Sequence, residues 1–315
     1  MAKIIGDKLQ SLPKYWLFAI LFLVTSIPLF HPLSVPTPPD DGSADLYAHL
    51  MQVPAGSTIL LASDWTNSTR GDSKGQFVAI IKILADRKLK AAIYSTADAQ
   101  APRVARDTIA EINAVRVKNG QPPYSQWNDW VSLGFYPSAE GQLSSIATDL
   151  RKAFASKTEQ NPATGEQQDV FESPVLQKIY KLSDCALSFT ITASKTSDLT
   201  VERLLHKTPL VLMVTGVMGP QTQNYYYSGQ IVGLAIGVKG AYDLETLMAK
   251  GLNVPGGIVS TKIPASAPPL SNQTDVQSIG TLFYPPLQFA LWLLIIMVVI
   301  GNVGMALSKM GAQSK

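Results

Sequence analysis

Two long apolar segments lie near the two ends of the chain. The first, Tyr15–Leu33, and the second, Leu287–Leu307, contain no Asp, Glu, Lys or Arg. A helix of 19 residues at 1.5 Å per residue extends about 28 Å, close to the roughly 30 Å of hydrocarbon in a bilayer. The pattern predicts transmembrane helices at 15–33 and 286–307. A cleaved signal peptide is the alternative for the first segment, but its apolar run is long and no small-x-small site follows it.

Between these segments, apolar runs of strand length alternate with segments whose apolar residues recur at helical spacing. The predicted strands are Ser57–Trp65, Ala91–Thr96, Trp130–Pro137, a run that begins at Cys185, and Thr208–Val217. These runs are apolar throughout, which indicates a sheet covered on both faces. The sequence therefore predicts an α/β domain at 45–250. The expected fold is three-layered, Rossmann-like or flavodoxin-like, with a mainly parallel sheet of about five strands and a transmembrane helix on either side.

Charge at the two ends predicts the orientation in the membrane. The tail at 1–14 carries three lysines and one aspartate, and the tail at 308–315 carries two lysines, a net of +4. The other 21 basic and 22 acidic residues balance to −1. Lys and Arg in short tails favour the cytoplasmic side. We therefore expect a two-pass protein of the plasma membrane with both termini cytoplasmic and an extracytoplasmic domain, joined to its helices by a Pro-rich linker at 34–44 and a second linker at 251–285.

The composition limits the kinds of ligand that the domain is expected to bind. Only 16% of the residues are charged, and the middle of the chain is nearly neutral, which gives no electrostatic basis for binding nucleic acid. The single cysteine, Cys185, lies in an apolar run and is interpreted as a small buried residue. The three histidines are far apart and show no metal-ligand spacing. No metal or cofactor is predicted.

The carboxyl ends of the predicted strands supply the candidate ligand site, because ligands of open α/β sheets bind at that edge. Asp64 ends the first strand, Ser95 and Thr96 end the second, and Tyr136 and Ser138 follow the third. If the strand order were 2-1-3-4-5, Asp64 and Ser138 would face each other across a cleft. A haloacid-dehalogenase-like phosphatase would need Asp-x-Asp at the first position, and Thr66 stands where the second acid is required. The favoured interpretation of Asp64 is a loop or capping residue, and a ligand contact is the alternative.

Small residues recur near the end of the predicted domain. A helix predicted over about 225–250 would carry a stripe of small residues that permits close backbone approach: Gly229, Gly233, Gly237, Gly240 and Ala241. Each glycine inside a helix costs about 0.5–1 kcal/mol relative to alanine, so a structural reason is expected. Tight packing against the sheet is the favoured reason, and the alternatives are contact with a partner subunit or the membrane surface and a phosphate-binding loop.

The same segment carries a resemblance. The stretch YYYSGQIVGLAIGVKGAYDLETL, residues 225–247, resembles the SGQ-x-x-G-x-x-x-G-x-K-G-A-x-x-x-E motif of a family of uncharacterised prokaryotic membrane-anchored α/β proteins. Ser63–Asp64 and Ile300–Gly301–Asn302 fit the same family pattern. This chain has Asp243–Leu244–Glu245 where the family motif ends in Tyr–Glu, and it lacks a second acid soon after Asp64. The resemblance implies the membrane-anchored α/β architecture and no established activity.

The function expected from the sequence is non-enzymatic. Two anchors would fix the orientation of the domain, as a subunit, scaffold or sensor of a membrane protein assembly requires. The expected partners are the lipid bilayer and other membrane protein subunits. The alternative is a small-ligand-binding domain or hydrolase that uses the crevice at the carboxyl ends of the strands.

Overall fold

The computed structural model of the protein describes residues 7, 8, 11, 13–31, 33, 35–270 and 278–313. The chain forms two compact units, one made of Met1–Thr37 with Thr281–Lys315 and the other of Pro38–Gly280. The second unit extends beyond the predicted domain at 45–250. Lys3 and Lys315, which contribute to the predicted tail charge, and residues 271–277 of the predicted second linker lie outside the described residues.

The first apolar segment forms a short helix. Helix α1 spans Lys14–Phe30, 17 residues, and ends where His31 turns to extended backbone. Such a helix is about 26 Å long, shorter than the roughly 30 Å of bilayer hydrocarbon. Its exposed side chains include Phe18, Phe22 and Phe30.

Six parallel strands form the sheet of the α/β unit. They are β1 (Thr58–Asp64), β2 (Lys90–Ser95), β3 (Trp130–Phe135), β6 (Leu187–Thr192), β7 (Leu210–Val214) and β8 (Gly233–Ile236). Two short strands, β4 (Thr158–Gln160) and β5 (Gln167–Asp169), pair as a separate antiparallel hairpin. The sheet confirms the predicted α/β class with mainly parallel strands and contains one strand more than the five expected.

Helices cover both faces of this sheet, as the apolar strands predict. One face carries α2 (Asp41–Gln52), α3 (Arg70–Asp86), α4 (Ala101–Lys118) and α9 (Gly237–Lys250). The other carries α5 (Ala139–Thr148), α6 (Leu150–Ala153), α7 (Thr196–Leu204) and α8 (Gly219–Tyr227). Strand β1 shows the division, because Ile59 and Leu61 belong to the first apolar core and Leu60 and Ala62 to the second.

The strand order is β3-β2-β1-β6-β7-β8. The conditional order 2-1-3-4-5 is therefore wrong, because β2 lies between β1 and β3. Without the hairpin, the observed order is the Rossmann arrangement 3-2-1-4-5-6, and the chain reverses its direction of progress between β1 and β6. Asp64 and Thr192 are register partners at the carboxyl ends of these two strands.

The prediction of a single helix over 225–250 is wrong, although its last part, Gly237–Lys250, is helical. Helix α8 ends at Tyr227, Gly229 takes φ +73° in the following turn, and the chain then forms strand β8. Gly237 takes φ +55° where α9 begins. An apolar run with glycines at four-residue spacing fits a short buried strand between two turns as well as it fits a helix.

The small residues of this segment therefore do not form one helical stripe, although several permit close packing. A Cβ added to Gly233 would lie 2.7 Å from Leu46 Cβ of α2, which covers the outer edge of β8. A Cβ added to Gly240 would lie 2.8 Å from the backbone carbon of Ala235. Ala241 is fully buried beside it on α9. A Cβ at Gly229 would meet nothing within 4 Å, so that glycine serves the turn.

The second apolar segment lies in the longest helix of the described residues. Helix α10 spans Ile279–Gln313 and includes Pro285 and Pro286. Its stretch Ile279–Met310 has a mean hydropathy of 2.4 in its most apolar window. By length and composition it could cross a membrane, and it is the one helix of the described residues that meets both criteria.

Candidate functional site

Asp64 joins the carboxyl ends of β1 and β2. Its Oδ1 accepts hydrogen bonds from Ser95 Oγ at 2.9 Å, from the Thr96 backbone N–H at 2.6 Å and from the Ala97 N–H at 3.3 Å. Its Oδ2 accepts from Thr96 Oγ1 at 2.9 Å. Burial raises the pKa of Asp64, and these four hydrogen bonds oppose the rise. The carboxylate therefore acts as the acceptor that closes the turn after β2, the capping role that the sequence left open.

The predicted lining residues after β3 are held apart from this carboxylate. Tyr136 donates its backbone N–H to Ser95 O at 2.9 Å, and its ring packs on Phe154 with centroids 5.5 Å apart. Its hydroxyl is buried without a partner, and burial raises the pKa of Tyr136 to about 12. Ser138 caps α5 by accepting the Gly141 N–H at 3.2 Å. Asp64, Ser95 and Thr96 thus form one cluster, and Asp64 does not face Ser138 across a cleft because β2 separates their strands.

The actual reversal of the strand order lies between β1 and β6. Helix α3 follows β1 on one face of the sheet, and α7 follows β6 on the other. The loop after β6 contains three hydroxyl groups that contact one another, on Thr192, Ser194 and Thr196. Ser194 and Lys195 are exposed there. This loop was not among the predicted ligand contacts, although the run TASKTS directly after an apolar strand is a signal that could have identified it.

The start of α3 binds the carboxyl ends of the neighbouring strands. Asp72 Oδ2 accepts the Gly216 N–H at 3.0 Å after β7. The buried Gln76 amide donates from Nε2 to Val214 O at 2.9 Å and to Gly237 O at 3.1 Å. These contacts satisfy backbone groups at the ends of β7 and β8 that the sheet leaves open. The polar residues of this segment therefore serve the fold.

Two acidic residues of α9 hold the ends of the α/β unit. Asp243 Oδ2 accepts the Asp40 backbone N–H at 3.0 Å, and the Lys239 ammonium pairs with Asp243. Lys239 also donates to Pro38 O at 3.0 Å. Burial raises the pKa of Asp243 to about 7, against the lowering effect of the Lys239 charge. The first residues of the unit are thus fastened to α9.

The last residues of the unit are fastened to the same helix. Glu245 Oε1 accepts the Gly280 N–H at 3.0 Å. Gly280 lies directly on the α9 backbone, since an added Cβ would be 2.2 Å from Tyr242 N. Asp243 and Glu245, two residues apart on α9, thus each accept one backbone N–H, one from each end of the unit.

Among the described residues, no group of three or more His, Cys, Asp and Glu side chains is arranged to hold a metal ion. Comparison with known proteins adds no assignment: the chain matches no protein-family model, no curated protein and no solved structure.

Proposed function

We propose that this chain is a membrane-tethered α/β module that acts as a subunit or scaffold of a membrane protein assembly. The observation that carries the proposal is the attachment of both ends of the α/β unit to α9, through Asp243 and Glu245. Such attachment gives both ends of the unit fixed positions on one helix, as a scaffolding module requires. The apolar stretch of α10, which its own chain leaves almost entirely uncovered, supports the membrane location.

The proposed topology has two membrane passes. Helix α1, 17 residues long, would be the second anchor. The +4 charge of the tails supports cytoplasmic termini and an extracytoplasmic domain. The proposal makes the protein a component of the plasma membrane.

Protease protection tests this topology. An epitope tag inserted at Ala163–Thr164, in the exposed turn of the β4–β5 hairpin, should be digested when protease is added to intact spheroplasts. A tag placed after Lys315 should be digested only after lysis. The opposite pattern would reverse the orientation, and digestion of both tags in intact spheroplasts would exclude two passes.

The acidic residues of the α/β unit support a scaffolding role. Asp64, Asp243 and Glu245 each accept hydrogen bonds from backbone N–H groups of their own chain. A carboxylate that is saturated in this way is a poor general base, because proton transfer needs a free lone pair in reach of the substrate. These groups therefore act in holding strands and termini in place.

Purification from native membranes tests the subunit role. The tagged full-length chain, extracted in a mild detergent, should co-purify with another membrane protein at constant stoichiometry. The Gly280→Leu variant should weaken that association by displacing the last residues of the unit, and Gly71→Leu is the matched control, since a Cβ there meets nothing within 4 Å. A single-chain particle in several detergents would contradict the proposal.

A small-ligand-binding domain is the second candidate function. The divergence of α3 and α7 after β1 and β6 favours it, because ligands of such sheets bind where the strand order reverses. The hydroxyls of Thr192, Ser194 and Thr196 would supply donors there. A thermal-shift screen on the full-length protein tests this role. A hit whose stabilisation survives Ser194→Ala and Thr196→Val would place its site elsewhere.

A further inference from the structure

A cavity of about 420 Å³ opens beside the outer edge of β3. It lies between β3, the start of α4 and the β4–β5 hairpin. Its side-chain lining includes Pro102, Arg106, Gln126, Lys157, Glu159 and Gln160. This volume is in the range of small-molecule sites, about 300–1,000 Å³. The cavity is separate from the Asp64 cluster and from the loops after β1 and β6.

One carboxylate of the chain, that of Glu159, is already bound at this edge of the sheet. The Glu159 side chain is 4% exposed. Its Oε1 accepts hydrogen bonds from Arg106 Nη2 and Gln126 Nε2, both at 2.8 Å. Its Oε2 accepts the Ser132 backbone N–H of β3 at 2.6 Å. Burial raises the pKa of Glu159, and these donors oppose the rise. The interaction fixes the Arg106 guanidinium at the cavity wall, and this side chain remains 52% exposed.

Lys157 supplies a second cation to the lining of the cavity. Its ammonium lies 4.9 Å from the centroid of the Tyr136 ring. Gly134 of β3 borders the ammonium: a Cβ there would lie 3.4 Å from Lys157 Nζ, an ordinary contact, and the backbone takes φ +83°. No acidic side chain of the described residues pairs with Lys157. Lys157 is half-buried, and its ammonium contacts the Tyr136 ring rather than an anionic partner.

The charges of the lining leave an excess of one positive charge. Arg106 and Lys157 are cationic, and Glu159 neutralises one of them. Gln160 and Gln167 add amide groups: the Gln160 amide donates one N–H to Gly165 O at 3.1 Å, which leaves its second N–H for an oxygen anion. A bound anion would meet a charge-assisted donor on Lys157, and such hydrogen bonds are about twice as strong as neutral ones.

We infer that this cavity binds a carboxylate group, with Lys157 as its principal cation and Arg106 and Gln160 as flanking donors. The carboxylate belongs either to a small organic acid or to an acidic side chain of a peptide, since both present the same planar anion. Glu159 is the internal precedent, because it already places a carboxylate against the guanidinium, amide and backbone donors of this edge. The inference does not depend on the membrane topology.

Calorimetric titration of the detergent-solubilised full-length protein at low ionic strength tests the inference. The probes are glutarate, a blocked Gly-Glu-Gly-Glu-Gly peptide and inorganic phosphate. We expect glutarate or the peptide to bind with a Kd below about 1 mM and to bind more tightly than phosphate. Tighter binding of glutarate would indicate a small organic acid as the ligand, and tighter binding of the peptide would indicate an acidic side chain. Phosphate binding that exceeds both would overturn the assignment to a carboxylate.

Three variants locate the site. Lys157→Met keeps the length of the side chain and should weaken binding at least about tenfold, since a charge-assisted hydrogen bond is lost. Lys157→Arg should retain most of the affinity. Lys152→Met is the matched control, because Lys152 is an exposed lysine outside the cavity. The affinity of this variant for the probe should be unchanged. If Lys157→Met fails to fold, Gln160→Leu on the cavity rim takes its place with a smaller expected loss. Equal affinity in these variants and the wild type, or no binding of either carboxylate probe, would overturn the inference.

Discussion

Replacing Asp64 distinguishes a structural carboxylate from a functional one. In Asp64→Ala, the acceptor for four hydrogen bonds is removed. Two of the donors, the Ser95 hydroxyl and the Thr96 N–H, lie in buried surroundings and would have no other acceptor of equal strength. Leaving a buried donor unsatisfied costs about 1–3 kcal/mol. The two unsatisfied donors alone would therefore lower the free energy of unfolding of the variant by on the order of 2–6 kcal/mol.

The removal of the buried charge offsets part of that loss. Burial raises the pKa of Asp64 because a charged carboxylate loses hydration there, so its removal also removes a desolvation cost. We expect a net loss of about 2–4 kcal/mol for Asp64→Ala. Asp64→Asn keeps one oxygen acceptor and should lose about 1 kcal/mol. Asp107→Ala is the control, because that exposed residue makes only a 3.7 Å surface ion pair with Arg103, and its effect should be below about 0.5 kcal/mol.

Urea unfolding of the full-length protein in detergent, followed by circular dichroism, measures these differences. Carboxylates kept for binding or catalysis usually hold strain, so their removal leaves stability unchanged or increases it. A wild-type or higher unfolding midpoint for Asp64→Ala would therefore refute the structural interpretation. Asp64 would then again be a candidate ligand contact.

Three further predictions concern the attachment to α9 and the lone thiol. Gly280→Ala should destabilise the protein by about 1–3 kcal/mol through overpacking on Tyr242, whereas Gly71→Ala should cost nothing; equal unfolding midpoints would show that the contact yields freely. The pKa of Asp243, about 7 in the folded protein, exceeds its unfolded value of roughly 3.9, so the folded state binds the proton more tightly and stability should rise as pH falls from 7 towards 4. Asp243→Asn should remove that part of the pH dependence of the unfolding free energy, and an unchanged slope would contradict the assignment. Burial raises the pKa of Cys185 to about 12, so iodoacetamide at pH 8 should label it only after unfolding; rapid labelling of the native protein would show an accessible thiolate.

The repeating units of the fold could be predicted from the sequence because they depend on local patterns. The apolar run at 57–65 contains β1, and the helical spacing at 101–118 matches α4. Continuous apolar strands indicated burial on both faces, and the two apolar cores confirm it. The long uncharged run at 287–307 lies inside α10. In each case, the residues that determine the element are neighbours in the chain.

The segment at 225–250 shows where local patterns fail. Glycines at four-residue spacing are compatible with a helical stripe, and the apolar GLAI is equally compatible with a strand. The tertiary structure decides for the strand, because β7 offers an open edge on one side and Leu46 of α2 packs closely on Gly233. The free energy gained by adding a sixth strand to the sheet depends on residues outside this segment, so the sequence of the segment does not reveal it.

The candidate sites depend even more on distant residues. Asp64 was identified from its place at the end of an apolar run, but its partners on β2 depend on the strand order, which a single sequence does not encode. The Asp243–Asp40 contact joins residues 203 positions apart, and the cavity beside β3 needs an arginine from α4 and a lysine from the hairpin. Hydrophobic periodicity by itself thus determined the α/β alternation and the burial of the sheet on both faces, but not the elements of the segment at 225–250. Which strands adjoin, and therefore which polar groups meet, was decided only by tertiary packing, because that choice depends on the free energy of the whole assembled sheet.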